Sequence, residues 1–157
     1  FRKDLLEERG YGEYERLDPA LLPSLYVAYQ VWTPEGKSSE VVHNDIRQRY
    51  DAGEALVIET MDQIADCARE GRKVLVRRDY ATLEALLDQN YDLRASMYNI
   101  ASQHKAMVAL ARSIGATAQF AGSGGAIVGT YQDESMFVAL QDAFREINCE
   151  VIKPTIT

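Results

Sequence analysis

The chain has 157 residues, 46% of them apolar, and a formal net charge of −7; it is long enough to bury one core without disulfides or a structural metal. The acidic balance argues against nucleic acid as a partner, because neutralising phosphates needs a basic face. No apolar run approaches the ~20 residues that span a bilayer, no secretory signal pattern is present, and Cys67 and Cys149 stand outside any metal-ligand or C-x-x-C spacing. The expectation is a cytoplasmic protein with buried or incidental thiols and no membrane partner.

In chain order, Leu25, Val27, Tyr29 and Val31 alternate with Tyr26, Ala28, Gln30 and Trp32, and Thr33-Pro34-Glu35-Gly36 follows as a turn. That pattern predicts a strand. From Val41 to Ile114 the spacing becomes helical: Val57, Met61, Ile64 and Ala68 form one stripe. Leu83, Leu86, Leu87, Asn90 and Tyr91 form another behind Asp79 as N-cap. Gly71 reads as a helix end or break between the two. Arg69, Arg72, Lys73, Arg77 and Arg78, interleaved with Val74, Leu75 and Val76, read as the solvated face of an amphipathic helix. Met107, Val108, Ala111 and Ile114 make a further helical stripe closed by Gly115.

Thr117 to Phe120 and Ala126 to Tyr131 are predicted strands. Asp133 caps a helix carrying Phe137, Leu140, Phe144 and Ile147, and Val151 to Ile156 is the final strand. Four strands with helices gathered in blocks predict an α+β fold, a four-stranded antiparallel sheet covered by helices, in a single domain over residues 1–157.

The stretch Phe120-Ala121-Gly122-Ser123-Gly124-Gly125-Ala126 is the first candidate for a site. Three glycines and a serine let backbone approach a ligand closely and turn several N–H groups toward one point. It fits neither the phosphate-loop nor the dinucleotide fingerprint, and two readings stand: an anion-cradling loop, or a tight hairpin turn. Arg47 and Arg49 diverge at i, i+2 on a helix, so one of them could grip a substrate carboxylate, or they could pair with Asp45, Asp51 or Glu54; Arg94 could contact the carboxylate or be satisfied by Asp92 or neighbouring helices. His43 and His104 form no local metal pair, and Ser123 lacks nucleophile-elbow spacing, so no metal site and no catalytic nucleophile are expected.

This succession, with Gly115-Ala116-Thr117-Ala118-Gln119-Phe120-Ala121-Gly122-Ser123-Gly124-Gly125-Ala126 after a helical block, resembles the C-terminal half of the GHMP kinases, small-molecule kinases named for galactose, homoserine, mevalonate and phosphomevalonate. Gly10-Tyr11-Gly12-Glu13-Tyr14, Leu21-Leu22-Pro23, Val42-His43-Asn44-Asp45-Ile46-Arg47-Gln48-Arg49-Tyr50, Glu70-Gly71-Arg72 and Asn90-Tyr91-Asp92-Leu93-Arg94 are similar to stretches of the glucuronokinases within that family. The separation of Gly36-Lys37 from Val42-His43, and Ala95-Ser96 after Arg94, depart from that pattern.

The resemblance implies a ferredoxin-like C-terminal domain of an ATP-dependent kinase that phosphorylates the anomeric hydroxyl of a sugar acid such as glucuronate. Gly122 to Ala126 would form the phosphate and substrate loop. ATP and Mg²⁺ would be held mainly by an N-terminal half of the same kinase, whose nucleotide loop and catalytic acids have no counterpart in this chain. The chain alone is then expected to be inactive. A kinase for a neutral sugar or heptose, and a non-catalytic module binding an anionic metabolite, are the alternatives.

Overall fold

A computed structural model of the chain describes residues 3–12, 15–31, 39–122 and 125–156. The elements are α1 (Lys3–Arg9), a 3-10 turn (Pro19–Leu21), β1 (Leu25–Gln30), α2 (Ser39–Asp51), α3 (Ala55–Val76), α4 (Tyr80–Met97), α5 (Ser102–Ser113), β2 (Gln119–Phe120), β3 (Ala126–Thr130), α6 (Glu134–Arg145) and β4 (Cys149–Ile152). The strands form one antiparallel sheet in the order β2-β3-β1-β4, with β2 and β4 at its edges. This is the α+β arrangement that the sequence predicts.

Strand alternation decides which side chains meet the helices. Tyr26 and Ala28 of β1, Ile127 of β3, and Cys149 and Val151 of β4 are buried against Tyr91 of α4, Met107, Val108 and Ala111 of α5, and Phe137, Leu140 and Phe144 of α6. Each large apolar side chain so buried contributes roughly 1.5–3 kcal/mol. A second, smaller cluster joins Ile46 of α2 to Val57 of α3 and Met97 at the end of α4. Both cysteines are free and buried.

Several predicted boundaries hold. Asp79 accepts from the Thr82 N–H and Asp133 from the Met136 N–H, as N-caps do. After α5, Gly115 has φ +96°, its N–H reaches the Arg112 carbonyl (3.0 Å), and the Ala116 N–H reaches Ala111 (3.2 Å), which is a Schellman closure. Arg69, Arg72, Lys73 and Arg77 pair with Asp66, Glu15, Glu70 and Glu70 on the exposed surface, the solvated face expected. The Trp32 end of the first predicted strand and the Thr33 to Gly36 turn lie outside the described residues.

Of the boundaries that differ, three have a local reason. Gly71 lies inside α3 and breaks nothing; the helix runs on to Val76 and ends with Arg78 in the left-handed region (φ 57°), the Arg78 N–H reaching Leu75 and the Asp79 N–H reaching Val74. An arginine does there what Gly115 does after α5. Strand β2 starts at Gln119, not Thr117, because the Thr117 carbonyl accepts from the Tyr26 hydroxyl (2.7 Å) while the Thr130 N–H turns to the Thr117 hydroxyl (2.8 Å). The last strand covers Cys149–Ile152, directly after Asn148 in the left-handed region (φ 56°), and stops short of Ile156.

Candidate functional site

The glycine cluster joins β2 to β3 as a hairpin, closed by the Ala121 N–H donating to the Ala126 carbonyl (3.2 Å). Gly122 (φ +130°) and Gly125 (φ +80°) adopt backbone that L side chains rarely reach. Ser123 and Gly124, the other half of the predicted loop, lie outside the described residues, and Ala126 opens β3. Gly125 roots the hairpin twice. Its carbonyl accepts from the Gln30 N–H at the end of β1 (3.1 Å), and its own N–H donates to Nε2 of His104 in the first turn of α5 (2.7 Å). That N–H is therefore already taken up by the fold.

His104 can accept only as neutral imidazole. Burial holds its pKa below the ordinary 6.5, which keeps the acceptor in place near neutral pH. Its ring also meets Phe120 edge-on, with centroids 6.1 Å apart.

Antiparallel pairing of Leu25 with Thr130 and of Tyr29 with Ala126 puts the C-terminal end of β1, and so Gln30, beside the hairpin. Helix α4 travels toward the same end. Glu84 meets the Thr130 hydroxyl (3.3 Å), Asp88 takes the Ala118 N–H (3.1 Å), and the Tyr91 ring packs 5.3 Å from that of Phe120. Arg94 lies one turn further along α4. Arg112 of α5 spans Asp88 (3.1 Å) and Asp92 (2.8 Å) and lies 5.0 Å from the Tyr91 ring centroid, fixing α5 on α4.

Two side-chain atoms at this end are buried without a hydrogen-bond partner, Gln30 Nε2 and Arg94 Nε. Gln30 stands opposite Cys149, whose side chain is buried, so its amide continues the core-facing row of Tyr26 and Ala28. A buried donor left unmade costs about 1–3 kcal/mol. Sequence reasoning singled out Arg94 but gave no role to Gln30 or His104: the first needed the sheet register and the second the packing of α5 on the hairpin, and neither carries a local motif.

The other two predicted arginines sit in α2, each with an acidic partner. Arg47 is exposed and lies 3.7 Å from Asp51. Arg49 grips Glu54 with both fork nitrogens (2.8 and 2.6 Å), donates to the Met97 carbonyl (3.1 Å) and lies 3.8 Å from Asp45. The Glu54 hydrogen bond raises the pKa of Arg49, and the same bond lowers that of Glu54. Arg49 thus ties the α2–α3 turn to the end of α4. Among the described residues no three His, Cys, Asp or Glu side chains gather as metal ligands, and no helix is long and apolar enough to cross a membrane.

No protein-family model matches the chain. Its sequence is 40% identical over 131 residues, 82% of this chain, to probable glucuronokinase 2 of Arabidopsis thaliana, and 34% identical over the same length to glucuronokinase 1 of that plant. The chain spans about a third of those relatives, 35% of each. Mevalonate kinase of L. major, crystallised with R-mevalonate, matches with a TM-score of 0.71 at 18% identity over 85% of this chain and 44% of that one. The chain has the fold of a GHMP kinase C-terminal domain. Within that class its sequence relatives are glucuronokinases, to about a third of whose length it is similar.

Proposed function

We propose that the chain is the C-terminal half of an ATP-dependent sugar kinase that phosphorylates the anomeric hydroxyl of a sugar acid such as glucuronate. The observation that carries this reading is the meeting of the glycine hairpin with the Arg94 end of α4, in a chain 40% identical to a glucuronokinase. Phosphoryl transfer depends on positioning and charge stabilisation more than on covalent chemistry. The hairpin walls the place where hydroxyl meets γ-phosphate. Arg94, whose planar guanidinium fork matches two carboxylate oxygens, takes the carboxylate.

Arg49, held by Glu54 and the Met97 carbonyl, is assigned to the fold. ATP and Mg²⁺ are assigned to the N-terminal half of the enzyme. Among the described residues no cluster of three metal-ligating side chains is present.

In the complete enzyme, turnover with glucuronate should exceed that with glucose by a factor on the order of 100 or more, because a site built to pair a carboxylate rejects an analogue without one. Equal rates would point to a neutral-sugar kinase. A Gly124→Val change should impair turnover while leaving the thermal unfolding midpoint in place; retained turnover counts against the hairpin's role.

A further inference from the structure

We infer that His104 is the positioning residue of the glycine hairpin, its Nε2 holding Gly125 by the backbone so that the loop meets the transferred phosphoryl group already in shape. The inference rests on the reading above that the hairpin walls the phosphate side of the site, and it adds the side chain that keeps that wall in place.

The need for a holder lies in the loop's own composition. Gly122 (φ +130°) and Gly125 (φ +80°) stand in backbone regions that favour glycine, and a Cβ at either would meet nothing within 4 Å. Packing therefore does not choose the shape of the loop at these positions, and glycine has the most conformational freedom to lose. Hydrogen bonds hold Gly125 from two sides instead. The Gln30 N–H reaches its carbonyl (3.1 Å), and its own N–H reaches His104 Nε2 (2.7 Å). With Nε2 accepting, the proton of the neutral ring sits on Nδ1.

His104 suits the task by where it stands. It lies in the first turn of α5, one turn before the buried Met107 and Val108, and Arg112 near the other end of that helix is held by Asp88 and Asp92. The ring is braced edge-on against Phe120, on the strand that enters the hairpin. The core thus fixes the ring, and the loop takes its position from the ring. Donors aimed at developing charge lower a barrier only if they are in place beforehand. A loop released from His104 has to be ordered during turnover, so its loss falls on kcat rather than on ground-state binding.

The experiment uses the complete kinase that carries this chain, with His104→Asn and His104→Gln. The two amides share their chemistry and differ in reach: asparagine ends where Nδ1 stands and stops short of Gly125, whereas glutamine carries an oxygen out to the position of Nε2. Amide hydrogen exchange across residues 120–127 is followed by mass spectrometry, beside kcat and KM with glucuronate and the unfolding midpoint. His104→Asn should lose protection in that segment and lower kcat about 10- to 100-fold, with KM changed less than about 3-fold. His104→Gln should restore the protection and most of kcat.

Protection unchanged in folded His104→Asn overturns the inference, as does a glutamine variant that behaves like the asparagine one, or a KM that rises while kcat holds. Lost protection with kcat unmoved overturns instead the place of the hairpin in the active site, so the two failures are told apart. Should the asparagine variant not fold, His104→Leu keeps bulk beside Phe120 and removes the acceptor; it must show the same two losses for the inference to stand.

Discussion

At Gly129 the backbone of β3 has no room for any side chain. A Cβ there would lie 1.8 Å from the Thr117 carbonyl oxygen and 2.8 Å from Tyr26 Cε1. That carbonyl accepts the Tyr26 hydroxyl inside the core, where burial first and the Asp88 charge second keep the phenol protonated far above its ordinary range. Gly129→Ala should therefore cost about 3 kcal/mol, a shift that urea unfolding of the two proteins would register.

His104 yields a pH prediction with a definite sign. Its folded-state pKa is lowered by burial, so the folded protein takes up the proton less readily than the unfolded chain. Its contribution is complete above pH 6.5 and is lost as pH falls through the lowered folded value. The unfolding midpoint should drop more between pH 7.5 and 5 in wild type than in His104→Gln, which keeps an acceptor but does not titrate. Parallel curves would show that the Gly125 contact carries no such linkage.

At this scale the sequence exposed the glycines but not the contacts they make. A glycine cluster is visible as composition. That Gly129 is required for a close approach, or that Gln30 faces inward, depends on which residue lies across the sheet.

The elements are held in place by a few crossing contacts, and α4 carries most of those that shape the site. Asp88 alone receives the Ala118 N–H and the Arg112 guanidinium, locking β2 and α5 to one helix. Asp88→Ala leaves both donors without that acceptor and should cost about 1–2 kcal/mol in thermal or chemical unfolding. Gly71 offers the opposite case. It lies mid-helix, and a Cβ would meet only Leu83 Cδ1 at an ordinary 4.0 Å. Gly71→Ala should stabilise the chain by about 0.5–1 kcal/mol.

Helical stripes and caps were legible because periodicity and hydrogen-bonding side chains are local. The Val57–Met61–Ile64 stripe, Asp79 and Asp133 all fall where their residue types predict. The end of α3 was not legible. Glycine is the usual sign of a left-handed stop, and here the stop is Arg78 while the glycine is packed helix.

Across the whole molecule, three helices on one face of the sheet bring the ends of β1, α4 and α5 to the β2–β3 hairpin. The candidate site is an end of the sandwich rather than a cleft within it, as expected of one wall of a larger active site. The purified chain should fold cooperatively yet give no detectable phosphoryl transfer with ATP, Mg²⁺ and glucuronate. Robust turnover from this chain alone would refute the division of labour proposed above.

The sheet's edges bear on how that chain behaves once purified. Strand β2 is only two residues long, and β4 is four, with exposed Glu150 in its middle. Short or charged edges give an incoming strand little backbone to zip onto, which blunts edge-to-edge aggregation. Self-association of the isolated chain should instead run through the outward row of Leu25, Val27 and half-exposed Ile152. Ile152→Lys is then the change that raises solubility.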